Sequence, residues 1–446
     1  MAKAEHPDFL HNLRHELANG RQWLDRAVVM LFAILAGLAV VALTWLSEAA
    51  FAGFQMVRGL AWWAPLLWTP ALTAGVVWAT RRWAPGAAGS GVPQVLVALD
   101  AACPPTETRR FVSLRGSTAK VLGVAGGLWA GLSIGRQGPS VQVAAGVMHH
   151  ARRYLSRQSG ISDRELLVAG GAAGIAAAFN TPLGGVVFAI EELSRRLEQR
   201  NSGLMMAAIV VSGLVSVSVF GNLSYFGRVR IDVVSWWALW WPGLLLALCC
   251  GLLGGLMARL LLVSLIGLPD RVSAWRQAHP VWFAAWCGLG VALVGVVSDG
   301  QAVGGGHQHT QVLLQMDAVE NHLPFVYTGL KFVASWWSAW SGVPGGIFAP
   351  ALSLGASLGM DVAWLTGAEA PQALVAIGMA AFLAAVIQTP ITAMILVMEM
   401  TEGHSMVLSL MAAALVASLV SRMISRPLYS TLADQMIKSV TLPRRA

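Results

Sequence analysis

The chain has 446 residues, 56% of them hydrophobic and only 12% charged, a balance that a water-facing globular surface of this size does not tolerate. The formal net charge of +8 is scattered over short stretches beside apolar runs, where the positive-inside bias of membrane proteins explains it and a nucleic-acid surface does not. Cys103, Cys249, Cys250 and Cys287 lack metal-ligand spacing, and three lie in apolar runs, so no structural disulfide is expected.

Residues 1–26, with Lys3, Arg14, Arg21 and Arg26, are predicted to form a cytoplasmic segment ahead of a retained first span rather than a signal peptide. Apolar runs able to cross a bilayer follow at Ala27–Leu46, Leu204–Phe220, Trp236–Leu265, Val281–Val297 and Met406–Val420. Lipid offers the backbone no partners, so each is predicted helical. Arg81 and Arg82 fall two spans later, on the cytoplasmic side. A single membrane domain is expected over 27–430, and residues 431–446, including the Arg-rich end Pro443–Ala446, read as a short cytoplasmic tail. The pairs Trp62-Trp63, Trp236-Trp237, Trp240-Trp241 and Trp336-Trp337 suit interface belts or helix packing. His149-His150 with Arg152 and Arg153 reads as a loop, and so do His307 and His309, which have no carboxylate or thiol close by to complete a metal site.

The membrane domain repeats, with halves at about 27–222 and 232–430. Gly170–Ala177 through Thr181-Pro182 and Glu191 aligns without gaps on Gly378–Ala385 through Thr389-Pro390 and Glu399. Upstream, Lys120 matches Lys331, Gly135 matches Gly346, Pro139 matches Pro350, and Gln94-Val95-Leu96 matches Gln311-Val312-Leu313. Small-residue matches are cheap in membrane helices, so the Lys, Pro and Glu matches carry the inference. Transporters built from two related halves place their substrate between them. Lys120 and Lys331 suit either a buried cation that raises the local potential for an anion or a structural ion pair.

Three interrupted segments stand out: Gly89-Ser90-Gly91-Val92-Pro93, Gly135-Arg136-Gln137-Gly138-Pro139-Ser140 and Gly345-Gly346-Ile347-Phe348-Ala349-Pro350. Each precedes a run able to form a helix, and Pro in a first turn costs no hydrogen bond. A helix that starts inside the membrane points free N–H groups and its positive dipole end at whatever fills the gap, which favours an anion. Neutral donors also let the ion leave again, as a fixed full charge would not.

These segments resemble the signature motifs of the CLC family of chloride channels and chloride/proton exchangers, usually GSGIP, GREGP and GGIFAP, and Pro427-Leu428-Tyr429 is similar to the family's late tyrosine. The resemblance implies an all-α polytopic inverted-repeat fold of about eighteen helices, a homodimer and one anion pathway per subunit. By position, Ser90 and Tyr429 supply hydroxyls to a central anion, the amides of Ile347 and Phe348 complete that site, Ala349 continues it, and the amides near Gln137 and Gly138 form an outer one. Ser90 argues for chloride, with bromide and nitrate as passengers. No cofactor, metal, enzymatic activity or nucleic-acid partner is implied; the partners are the anion, lipid and a second copy of the chain.

One departure changes the expected mechanism: Gln137 stands where the family has its gating glutamate, and an amide does not titrate. Glu192 matches the family's internal proton-transfer glutamate, although an acid there also suits pairing with Arg195 or Arg196. The expectation is passive chloride conduction uncoupled from protons. Gln137 either swings clear of the pathway or lodges in it. The alternative is a chloride/proton antiporter that uses another proton route, or in which Gln137 is an engineered substitution. A membrane enzyme or metal transporter built on Glu191, Glu192, Glu399 and the histidines is the remaining class, and it needs carboxylates that converge.

Overall fold

A computed structural model describes residues 20–193, 202–221, 225–226, 236–315 and 325–441. The segment with Lys3 and Arg14, the pair Arg195-Arg196 and the tail Pro443–Ala446 lie outside these residues, as do the side chains of Trp236 and Trp237.

The first half runs α1 (Gly20–Leu60), α2 (Ala64–Trp83), α3 (Val92–Leu99), α4 (Pro105–Phe111), α5 (Leu114–Trp129), α6 (Gln137–His150), α7 (Asp163–Phe179), α8 (Pro182–Phe188, continued by a π turn over Ala189–Leu193) and α9 (Ser202–Phe220). The second half runs α10 (Trp236–Ile266), α11 (Arg271–Ala278), α12 (Pro280–Val297), α13 (His307–Gln315), α14 (Val326–Trp340), α15 (Phe348–Thr366), α16 (Pro371–Ile387), α17 (Pro390–Thr401), α18 (Val407–Ile424) and α19 (Leu428–Thr441). Among the described residues six helices are long and apolar enough to cross a membrane, and every predicted apolar run falls in a helix. α1 is longer than its apolar run. At 1.5 Å per residue its 41 residues span about 60 Å, twice the ~30 Å hydrocarbon core, so it tilts and projects beyond it.

α7 and α16 are the inner pair. Leu166 through Phe179 and Ala373 through Ile387 are buried without a break, because Ala and Gly let neighbouring backbones approach on every side. The tightest approach joins α15 to α16, where a side chain on Gly355 would strike the Gly378 carbonyl and one on Gly378 would strike the Gly355 carbonyl.

The matched halves meet through matched residues. Gly135 and Gly346 exchange backbone N–H···O bonds, each 2.7 Å. Glu191 accepts from the amides of Ile391 (3.2 Å) and Thr392 (2.6 Å), while Glu399 accepts from those of Leu183 (3.2 Å) and Gly184 (2.7 Å). Each acid thus caps the helix that carries its own repeat mate. Across the halves, α2 packs on α12. Reciprocal contacts like those of the glycines and the glutamates are what a two-fold axis produces, and the inverted repeat that the resemblance implies requires such an axis. Asn180 and Gln388 end α7 and α16 in the same left-handed conformation, with φ 59° at both, before the shared Thr-Pro step.

Glu191→Gln and Glu399→Gln should therefore each cost about 1–2 kcal/mol, the value of a charge-assisted cap on a helix N-terminus, with the two losses matching. Thermal unfolding of the purified variants measures this, and a large inequality between them would deny the equivalence.

Two loop expectations fail. His149 and His150 are the last turn of α6, since nothing between Val141 and Met148 breaks the helix. Arg152 and Arg153 form a single tight turn beyond it. His307 and His309 open α13, after the left-handed Gly306 at φ +80°.

Candidate anion site

The three interrupted segments converge. The Gly89 carbonyl accepts from the Gly345 amide at 3.1 Å and from the Lys120 ammonium at 2.8 Å, so the turn that presents Ser90 is tied to the segment that opens α15. Gly138 is required here, since a side chain on it would run into the Ser90 hydroxyl. Gly91, at φ +112°, lies where a Cβ would come within 2.6 Å of the Gly138 carbonyl. Lys331, the mate of Lys120, donates to Gly304 (2.7 Å) and Ala302 (3.2 Å) carbonyls in the matching turn. Both fully buried lysines thus pin glycine turns through backbone carbonyls.

α6 and α15 begin at this junction, and neither N-terminus has a side-chain cap. That sets them apart from α8 and α17, whose first amides the two glutamates satisfy, and from α3, where the Gly91 amide donates to Gln94 Oε1 at 2.9 Å. Two helix ends worth about 0.3–1 kcal/mol each to a nearby anion, and up to ~2 where partly buried, face one gap. The hydroxyls of Ser90 and Tyr429 are close to one another and buried, and neither has a partner with hydrogen-bond geometry. Native structures rarely leave buried hydroxyls in that condition. The Tyr429 ring stacks on Phe348 (6.1 Å, 16°), which in turn packs on Phe179 and Phe188. Ser90, Gly138, Ile347, Phe348, Ala349 and Tyr429 are therefore brought to one place.

Gln137 is 1% exposed. Its oxygen lies over Gly135, where a Cβ would sit 2.6 Å from Oε1 and 3.2 Å from the Ala349 amide nitrogen, so the carboxamide packs at the junction where α15 begins. Its Nε2 donates to the Tyr225 hydroxyl at 3.1 Å. Tyr225 escaped the sequence reading: it stands in no motif and is marked only by being one of four tyrosines. Arg136 pairs with Glu48 of α1 at 2.9 Å, another link without a sequence signal, since 88 positions separate them.

Below the hydroxyls lies a cavity of about 1070 Å³ whose lining includes Glu191, Glu192, Arg164, Arg422, Arg426 and Ser430. Glu192, on the π turn after α8, is near enough for its charge to reach the Tyr429 hydroxyl. Glu191 and Glu399 remain on their separate helix caps. His307 stacks on Phe226 (5.1 Å) and His309 on Tyr327 (3.6 Å). The carboxylates and histidines do not form a metal-type cluster among the described residues.

A two-fold repeat that holds uncapped helix N-termini and unpaired hydroxyls against one gap in a membrane defines an anion-transport protein. The voltage gated chloride channel family matches residues 71–422, and the chain belongs to that family, the CLC family. It is 31% identical over 439 residues to the H(+)/Cl(-) exchange transporter ClcA of Cronobacter sakazakii, covering 93% of this chain and 90% of the relative. The ClcA of Citrobacter koseri is 29% identical over 79% of the chain and 74% of its own length. Among solved structures, a slow cyanobacterial Cl-/H+ antiporter superposes with TM-score 0.78 at 23% identity over 94% of this chain and 98% of its own. A CLC-type fluoride/proton antiporter superposes at 0.72 with 20% identity, over 91% and 97%.

Proposed function

We propose that the chain conducts chloride across a bacterial inner membrane, uncoupled from protons, as a homodimer with one pathway per subunit and both termini in the cytoplasm. The single observation that carries the uncoupled part is Gln137. The side chain buried over Gly135 at the start of α15 has an amide where exchange chemistry needs a group that alternates between charged and neutral. Ser90 and Tyr429 hydroxyls and the amides of Ile347, Phe348 and Ala349 hold the central anion, the amides at Gly138 hold an outer one, and Gln137 is the gate. Hydroxyl and amide donors replace a hydration shell without fixed charge, so bromide and nitrate pass as well. The chain needs no cofactor and catalyses no reaction.

Chloride/proton exchange is the second reading, and a specific observation favours it: the curated relatives are named as H(+)/Cl(-) exchange transporters. Glu192, beside the lower cavity, would be its inner proton carrier, with the outer step taken by a route other than Gln137. One experiment separates the two. In weakly buffered liposomes under a chloride gradient, uncoupled conduction moves chloride with no opposed proton movement. Steady proton movement against chloride would overturn uncoupled conduction and establish exchange.

A further inference from the structure

We propose that Tyr225 is a latch that holds the Gln137 carboxamide over the outer end of the anion site and so sets the rate of chloride passage. Four observations converge on it. Gln137 is almost fully buried and its oxygen lies over Gly135, at the junction where α15 begins. The same oxygen has no hydrogen-bond partner, so the α15 amides do not fix the side chain by that atom. The hydrogen bond that does fix it is the one from Nε2 to the Tyr225 hydroxyl, 3.1 Å long. Finally, the Tyr225 ring is held on three sides by edge contacts with Phe179 (5.5 Å), Phe226 (4.9 Å) and His307 (4.7 Å).

The rings give the latch its stiffness. Phe179 also packs on Phe348, the residue whose amide opens α15, so latch and anion site share one aromatic wall. A hydroxyl fixed by a rigid ring gives up little entropy when it bonds, whereas a flexible partner would give up more. Opening requires the carboxamide to leave both Tyr225 and Gly135. Neither step changes its charge. Tyr225 is a positioning residue: it acts on the anion only through Gln137.

The inference rests on Gln137 standing in the anion pathway, as proposed above. Tyr225→Phe removes the hydrogen bond whichever group donates it and leaves the aromatic contacts in place. Chloride efflux from liposomes, per protein and at unchanged thermal stability, should rise about fivefold, the factor that one net hydrogen bond carries. In a Gln137→Ala background the same substitution should change the rate by less than about 1.5-fold, since no carboxamide is left to hold. An unchanged or slower rate in Tyr225→Phe would overturn the latch, and so would an equal acceleration in the Gln137→Ala background, which marks a merely structural role. Proton movement is recorded in the same vesicles. Its appearance would sink uncoupled conduction while leaving the rate ratios free to test the latch.

Discussion

Gln137→Glu should give a protein that moves protons against chloride and whose chloride flux climbs as the pH falls. The carboxylate would sit where the carboxamide sits now, above Gly135 at the junction with the uncapped α15, and would compete with the anion for the α15 amides. Protonation removes that competition. For a glutamate near its ordinary pKa of about 4.3, the neutral fraction rises about tenfold for each pH unit of acidification above that value, and the flux should follow it. The sign is fixed by the chemistry: the charged form blocks and is lost as the pH falls through the carboxyl titration. The unmodified chain has no such group at this position and should show no step of that size. Chloride efflux and internal pH followed together from pH 7.5 to 4.5 measure both effects. A flat profile in the variant would remove the carboxylate-competition logic, and with it the significance of Gln137.

Gly378→Ala should be strongly damaging to the fold. The added methyl would meet the Gly355 carbonyl of α15, and both helices are packed on every side, so there is nowhere to shift. Overpacking against backbone costs about 3 kcal/mol or more, expected as a large fall in the unfolding temperature or loss of monodisperse protein after extraction. Gly329→Ala in α14 is the control. Nothing lies within 4 Å of its added atom, and helix propensity alone predicts a gain of about 0.5–1 kcal/mol. Equal behaviour of the two would deny that the α15–α16 contact sets the core.

Much of this was legible in the sequence, and the rest failed for identifiable reasons. The apolar runs gave the helices because lipid leaves the backbone no alternative. The Lys120/Lys331, Gly135/Gly346 and Glu191/Glu399 matches gave the repeat, and each pair reappears as a matched structural role. The segments that open α3, α6 and α15 were marked because Gly and Pro at helix starts are local signals, and the donors expected within them came from the family resemblance. What stayed hidden depends on distant pairing. The two-fold relation of the halves rests on Gly135 bonding to Gly346 and on the crossed caps of Glu191 and Glu399, which residue identity does not encode. The lysines suggested an ion pair or an electrostatic role, yet they hold glycine turns through carbonyls, and nothing in a lysine's identity announces such a partner. Tyr225 and Glu48 lie outside every motif; only the folded chain brings them to Gln137 and Arg136. His149-His150 gives no local signal of the helix it ends, since two histidines followed by Arg152 and Arg153 suit a polar loop equally well.

The most direct test is to see the ion. Crystals grown in bromide, with diffraction collected at the bromine absorption edge, should show an anomalous peak between the Ser90 and Tyr429 hydroxyls and the opening amides of α15, weakened when Tyr429 is replaced by Phe and Ser90 by Ala. A bromide peak elsewhere in the subunit with none at this junction would contradict an anion site built from these helix ends.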